Sequence, residues 1–256
     1  SFSKWDESQT HCDVLTSNIR DPNRTAIPVH FSDIKATEAI SACRKALKKD
    51  PNNPRLMLNM GRAFNKLKVY DQSFIWTKKA TDAGYPYAYR AMALHYRLGE
   101  GTEKNPEKEL EFLKIAMDKQ VDSASEGLAK IKLDGPVAFI NFSKVEQLIK
   151  NAGYYRDSTS ALWGRFYLRK SKAFLIDSAP LINWQGILDD KSINEKQRAS
   201  RIAVWLDAEK SKSYLSLLTK SLEHYESYLA DNDNKAISKL YKSIQERQHY
   251  FLTEAE

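Results

Sequence analysis

Between Asn59 and Ala124 one pattern of apolar and polar positions is written twice. The first copy reads Met60-Gly61-Arg62-Ala63-Phe64, then Trp76, Ala80, Gly84 and Ala88. The second reads Met92-Ala93-Leu94-His95-Tyr96, then Phe112, Ala116, Gln120 and Ala124. From Trp76 to Phe112, Ala80 to Ala116 and Ala88 to Ala124 the step is 36 residues. Self-similarity at such a period marks a stacked helical array. Each unit reads as a helix pair whose residue types follow from a tight crossing. Gly61 and Ala93 fall where a larger side chain would hold the partner helix away. Phe64 and Tyr96, three positions on, fill the adjoining gap from the same face. On the second helix Ala80 and Ala116 are the small members, and Trp76 and Phe112 the bulky ones.

Upstream, residues 3–18 read as a short helix with Trp5, Cys12 and Leu15 as anchors. Asp21-Pro22-Asn23-Arg24 then turns and Ile27-Pro28-Val29 runs extended. Ser32 or Asp33 is placed to cap the next helix, with Phe31 as a hydrophobic staple. Ile34, Ala36, Ile40, Cys43 and Leu47 give that helix one apolar face. Asp50-Pro51-Asn52-Asn53-Pro54 ends it and launches the first repeat, since proline suits a first helical turn and no deeper position.

Downstream, Leu128-Ala129 with Leu133-Asp134-Gly135 reads as a third first-helix, with Phe142 to Gly153 as its partner. Trp163-Gly164-Arg165-Phe166-Tyr167 restates the phrase a fourth time. After Lys172 it is lost: Phe174-Leu175-Ile176 and Pro180 to Trp184 read as irregular or short, and helix resumes over Ile193 to Trp205. Leu215, Leu218, Leu222, Tyr225 and Leu229 form a heptad seam. Past the polar turn Asp231 to Asn234, a matching stripe runs over Ile237, Leu240, Tyr241, Ile244 and Phe251. This hairpin either closes the array or offers a coiled-coil surface to a partner. The expected chain is all-α: capping helices over 1–54, a repeat array over 55–172 and a helical region over 173–256. Within the array, units fall near 55–87, 88–123 and 124–156, with the start of a fourth at 157–172.

Only 9 glycines and 8 prolines occur in 256 residues, which suits helix and argues against a turn-rich sandwich. The net charge of +7 has one local concentration. Arg44, Lys45, Lys48, Lys49, Arg55, Arg62, Lys66 and Lys68 face only Asp50. That stretch reads as a solvated helix face or as a patch for nucleic acid, lipid or an acidic protein. No run of about 18 apolar residues is present, so no membrane span is expected. Cys12 and Cys43 are too few for a zinc-finger site and sit in no CxxC. Their spacing alone leaves two buried thiols and one disulfide equally open.

Chemistry is sparse. His11, His30, His95, His224 and His249 form no HExxH and no ligand-spaced pair with a cysteine, and no GxSxG or GxGxxG motif is present. Gly99-Glu100-Gly101 is no phosphate loop, because Glu100 and Glu103 would repel phosphate. Neither catalysis, a cofactor nor a metal is expected. Tyr85-Pro86-Tyr87-Ala88-Tyr89 places three rings at a helix start, where they serve an interface or, at Tyr85 and Tyr89, pack between units.

The set Ala88, Met92-Ala93, Tyr96, Gly99-x-Gly101, Asn105, Phe112, Ala116 and Ala124 resembles a Sel1-like repeat. That family is a solenoid relative of the tetratricopeptide repeat, set apart by a Gly-x-Gly loop between its helices. The first unit, lacking the loop, resembles a plain tetratricopeptide unit. Two positions depart from the pattern: Glu109 where the family prefers alanine, and Gln120 where it prefers glycine. Cys12-Asp13, Asp21-Pro22-Asn23-Arg24, Ile34, Ala39-Ile40, Ala42-Cys43 and Asn53-Pro54-Arg55 resemble the two-cysteine lead-in that precedes such arrays in bacterial proteins. Several of those are exported, and some carry a caspase-like peptidase domain.

The resemblance implies a Cys12–Cys43 disulfide, worth about 3 kcal/mol in the chain-entropy model, and hence an oxidising compartment, periplasmic or secreted. It further implies a scaffold that binds protein or peptide along its concave face. A recognition portion of a larger enzyme is the alternative, and nucleic-acid binding through Arg44–Lys68 a less favoured one. In that register Arg62, Leu94, Lys130 and Arg165 follow the small residue, and Asn65, Arg97, Leu133 and Leu168 follow the aromatic. Arg62, Asn65, Arg97, Lys130 and Arg165 are therefore the expected partner-binding residues. They suit an acidic segment, and alanine at Arg62 and Arg97 is expected to leave thermal stability unchanged.

Overall fold

The computed structural model describes residues 8–152 and 156–253. Trp5 and Gly153, assigned above to helices, lie outside these residues. Thirteen α-helices and no strand are present among the described residues. The chain forms two compact units, Ser1–Leu128 and Ala129–Glu256.

In the first unit, α1 (His11–Thr16) packs on α2 (Ala36–Lys49) and α3 (Pro54–Lys66). α3 pairs with α4 (Tyr70–Asp82), and α5 (Pro86–Leu98) with α6 (Pro106–Asp118). α7 (Ser123–Asp134) begins in this unit. The helices α3 to α6 are each 13 residues long. Breakers set that length: Pro54, Pro86 and Pro106 open α3, α5 and α6 in the first turn, where a missing N–H costs nothing. Asn53 and Asn105 cap two of them with their side-chain oxygens.

The small residues sit at the crossings. A Cβ on Gly61 would stand 2.8 Å from Thr77 Oγ1 and 3.1 Å from the Ser73 carbonyl, so only glycine lets α3 approach α4 this closely. Ala80, Ala88, Ala116 and Ala124 are fully buried. Tyr96 stacks on Phe112 at 5.6 Å and meets Phe74 edge-on at 6.0 Å. The Gly-x-Gly loop has a similar logic. Gly99 ends α5 in the left-handed region at φ 74°. Gly101, at φ 72°, lies where a Cβ would be 2.3 Å from the Tyr70 carbonyl oxygen of α4. Gln120, which stands where the repeat prefers glycine, adopts φ 62° just past α6. The position keeps its left-handed demand with a residue that meets it at a cost.

The lead-in joins the core through a Cys12–Cys43 disulfide packed with Leu47, Leu56 and Met60. Beside it Asp13, fully buried, accepts from Arg55 Nε at 2.9 Å, Asn59 Nδ2 at 2.9 Å and the Thr10 backbone N–H at 2.9 Å. One expectation is corrected: neither Ser32 nor Asp33 caps the helix. Phe31–Asp33 is a 3-10 turn in which the His30 ring accepts from the Ser32 N–H, and α2 begins at Ala36. An extended Ile34 separates the two and is buried against Ala39 and Ala63.

The second unit holds α8 (Phe142–Asn151), α9 (Arg156–Ser178), α10 (Trp184–Asp189), α11 (Glu195–Ala203), α12 (Ala208–Ala230) and α13 (Lys235–Thr253). α9 lies along α12, and α13 packs on α11 and α12. A second correction falls here: Phe174-Leu175-Ile176 is neither irregular nor the end of a short helix. α9 runs unbroken for 23 residues, because no proline intervenes before Pro180 and Leu175 is fully buried with Trp184, Ile202 and Leu218. The helical hairpin at the C-terminus is present as α12 and α13, but α12 also packs its length on α9. Gly164 marks that crossing: a Cβ there would be 2.8 Å from the Tyr225 ring, and Ser221 Oγ donates to its carbonyl at 2.8 Å.

Candidate binding pocket

A pocket of about 130 Å³ lies in the first unit, walled by the lead-in, α3, α4, α5 and Glu100. It is built from the lead-in outward. Arg62, on the exposed-register face of α3, turns its guanidinium onto the backbone of the lead-in. It donates to the carbonyls of Thr16 at 2.5 Å, Ser17 at 2.8 Å and Val29 at 2.9 Å. Burial lowers its pKa. Lys66 Nζ adds a bond to the Ser32 carbonyl at 2.7 Å. Across the lead-in, Tyr85 donates its hydroxyl to Asp21 Oδ2 at 2.9 Å. Burial pushes the Asp21 carboxyl up to about 6, against the opposing pull of the Asn23 N–H and the Tyr85 hydroxyl. An extended stretch of the chain itself thus lies across the first-helix face.

The floor is polar and mostly satisfied. His95 Nδ1 is 2.7 Å from the Glu100 carbonyl, and Nε2 faces the hydroxyls of Ser73 at 3.4 Å and Thr77 at 3.3 Å. A carbonyl can only accept, so Nδ1 carries the proton and Nε2 accepts. Burial holds the His95 pKa below its usual value, and the ring ties the Gly-x-Gly loop to α4. Asn65 Nδ2 donates to Glu100 Oε2 at 2.9 Å.

Two donors are unspent. Tyr87 lines the pocket at 4% exposure, and its hydroxyl makes no hydrogen bond among the described residues. Burial raises its pKa, so the phenol stays protonated. Arg90, one helical turn on and also lining the pocket, has a buried Nε with no hydrogen-bond partner.

Of the residues expected to bind a partner, the pocket gathers Arg62 and Asn65. Arg62 is committed to three carbonyls, so its removal is now expected to cost stability. Arg97 is exposed near the end of α5. Lys130 and Arg165 belong to the second unit, where Arg165 pairs with Asp134. The basic stretch Arg44–Lys68 is likewise reduced. Arg55 is buried on Asp13 and Arg62 on the lead-in, leaving Arg44, Lys45, Lys48, Lys49 and Lys68 exposed.

Arg90 was not among the expected residues, and Tyr87 was singled out only as one of three rings at a helix start; the expected cations were taken from positions after the small and aromatic members of each unit. The missed signal is the spacing 87, 90, 91, 94, a single stripe on α5. Among the described residues no three His, Cys, Asp or Glu side chains gather into a metal-sized group, and no helix is long and apolar enough to cross a membrane.

Fold and pocket together define an all-helical protein of stacked helix pairs with a polar recess on its first unit. No family model matches the chain, and no curated protein sequence does. Among solved structures it is similar to a Sel1 repeat protein from Oxalobacter formigenes, at 19% identity over 86% of this chain and 94% of that one, with a TM-score of 0.48.

Proposed function

We propose that this chain is a non-catalytic protein-interaction scaffold whose first unit receives a segment of a partner at the pocket beneath the lead-in. The observation that carries the reading is the buried Arg90 Nε with no partner, beside the unbonded Tyr87 hydroxyl, in a recess whose His95, Asn65, Glu100 and Asp21 side chains are bonded. Buried polar groups are nearly always paired, and a recess with a few convergent polar groups is the usual form of a binding site. The one imidazole in the recess has both nitrogens engaged, so the groups present hold rather than transform. The arginine supports an acidic partner. The Cys12–Cys43 disulfide supports an oxidising compartment, periplasmic or secreted.

The test is affinity capture from the native source with wild type and the Tyr87→Phe/Arg90→Gln double variant, after matched thermal unfolding has shown both folded. A partner retained by wild type and lost by the variant is expected. Equal capture by both would remove the pocket from the function.

A further inference from the structure

We infer that the recess takes a carboxylate, held by Arg90 Nε–H and the Tyr87 hydroxyl. This rests on the reading of the recess as a binding site and names the chemistry of its ligand. Both unspent groups present hydrogens. Arg90 Nε–H can only donate, and the Tyr87 phenol, kept protonated by burial, donates to any acceptor that arrives. A ligand that completes this pair must bring acceptors. Among acceptors a carboxylate is favoured, because a charge-assisted bond to a guanidinium is roughly twice as strong as a neutral one.

The surrounding charge agrees. Arg90, Arg20 and Arg62 all act on the Tyr87 phenol as positive neighbours, with Asp21 opposing them. The two carboxylates that line the recess are already engaged. Glu100 accepts from Asn65, and Asp21 accepts from Tyr85 and the Asn23 N–H. Neither reaches the unspent pair. Tyr87 and Arg90 are three residues apart on α5, on one face and therefore able to close on one group. The recess, at about 130 Å³, exceeds the share of a single water several times over and admits a carboxylate with the carbons that carry it.

A protein supplies this group as an acidic side chain or as a chain terminus. The experiment separates the two without needing the natural partner. The Arg90 Nε–Hε resonance is followed by NMR while N-acetylglutamate α-amide, N-acetylalanine or the neutral N-acetylglutamine α-amide is titrated. A saturable shift at millimolar concentration with either acid, and none with the neutral amide, is expected. The acid that saturates first assigns the source. Tyr87→Phe, which keeps the ring and removes only the hydroxyl, is expected to weaken binding about tenfold. Arg90→Gln provides a second reading through the neighbouring amides of α5. Equal shifts with acid and neutral amide, or no saturable shift with either acid, would overturn the carboxylate. If that happens while the double variant still loses its captured partner, the binding-site reading survives and only the ligand chemistry falls.

Discussion

The two units use one device and arrive at different architectures. In each, a glycine lets two helices approach, Gly61 against Thr77 and Gly164 against Tyr225, and an aromatic residue follows three positions on. The first unit holds four successive helices to 13 residues each, three of them opened by a proline. In the second, α9 and α12 run 23 residues each beside the shorter α8, α10 and α11. Short helices end often, and every end exposes unpaired backbone groups that need polar partners. The first unit gathers caps, loops and a long lead-in around a polar recess. The second unit fills its middle with Leu175, Trp184, Ile202, Tyr214 and Leu218. Helix length, more than crossing chemistry, separates the 13-residue pairs of the first unit from the 23-residue pair of the second.

The largest expected effect breaks each unit separately. Asp13→Ala removes the carboxylate that faces Arg55, which is 5% exposed, and Glu195→Ala removes the one that Arg247 holds at 2.8 Å. Removing one partner of a buried pair costs about 3–5 kcal/mol. Hydrogen exchange is expected to show the first loss in α3 amides and the second in α12 amides. Losses spread evenly over both units would deny that they are separate.

Next come two effects confined to the first unit. Reducing Cys12–Cys43 is expected to lower its stability by about 3 kcal/mol, leaving α12 protection unchanged. A thiol assay under denaturation is expected to find no free thiol before reduction, and two reactive thiols at that stage would refute the bond. Asp21 adds a pH signature. Its folded pKa of about 6 lies above the ordinary value of 3.8, so the folded state binds the extra proton. The Asp21 contribution is then fully present below about pH 4 and is lost as pH rises through 6, by on the order of 2–3 kcal/mol. Asp21→Asn, neutral throughout and of the same shape, is expected to flatten that slope in denaturant melts at pH 4 to 7.

Smaller effects sharpen the comparison at single positions. Gly164→Ala presses on the Tyr225 ring at 2.8 Å and is expected to cost about 1–3 kcal/mol as overpacking, within the second unit alone. Gln120→Gly relieves a left-handed φ of 62°. It is expected to stabilise the first unit by about 0.5–1 kcal/mol, read as a raised Tm; an unchanged or lowered Tm would mean that the backbone there carries no strain.

Much of this was legible in the residues. Proline and asparagine at 53–54 and 105–106 fix where helices restart, because the missing N–H and the capping oxygen act within one turn. Gly61, Ala80 and Ala116 fix where helices touch, because small residues at helical spacing have few other uses. Gly99 and Gly101 fix the connector through their backbone angles. The continuity of α9 through Leu175 was not legible, since a short apolar run has the same local pattern in a helix or out of one, and burial against α12 decides.

The fate of the cations was not legible either. Arg62 has the register of a groove residue, yet it meets the carbonyls of Thr16, Ser17 and Val29. Those acceptors lie 33–46 residues away, and periodicity records which face a side chain occupies without recording what crosses it. Tyr87 and Arg90 share that limit from the other side: only the folded chain shows that nothing in the described residues satisfies them. Local rules of capping, chirality and helical spacing determined the elements, and long-range hydrogen bonding decided which polar groups were left to bind.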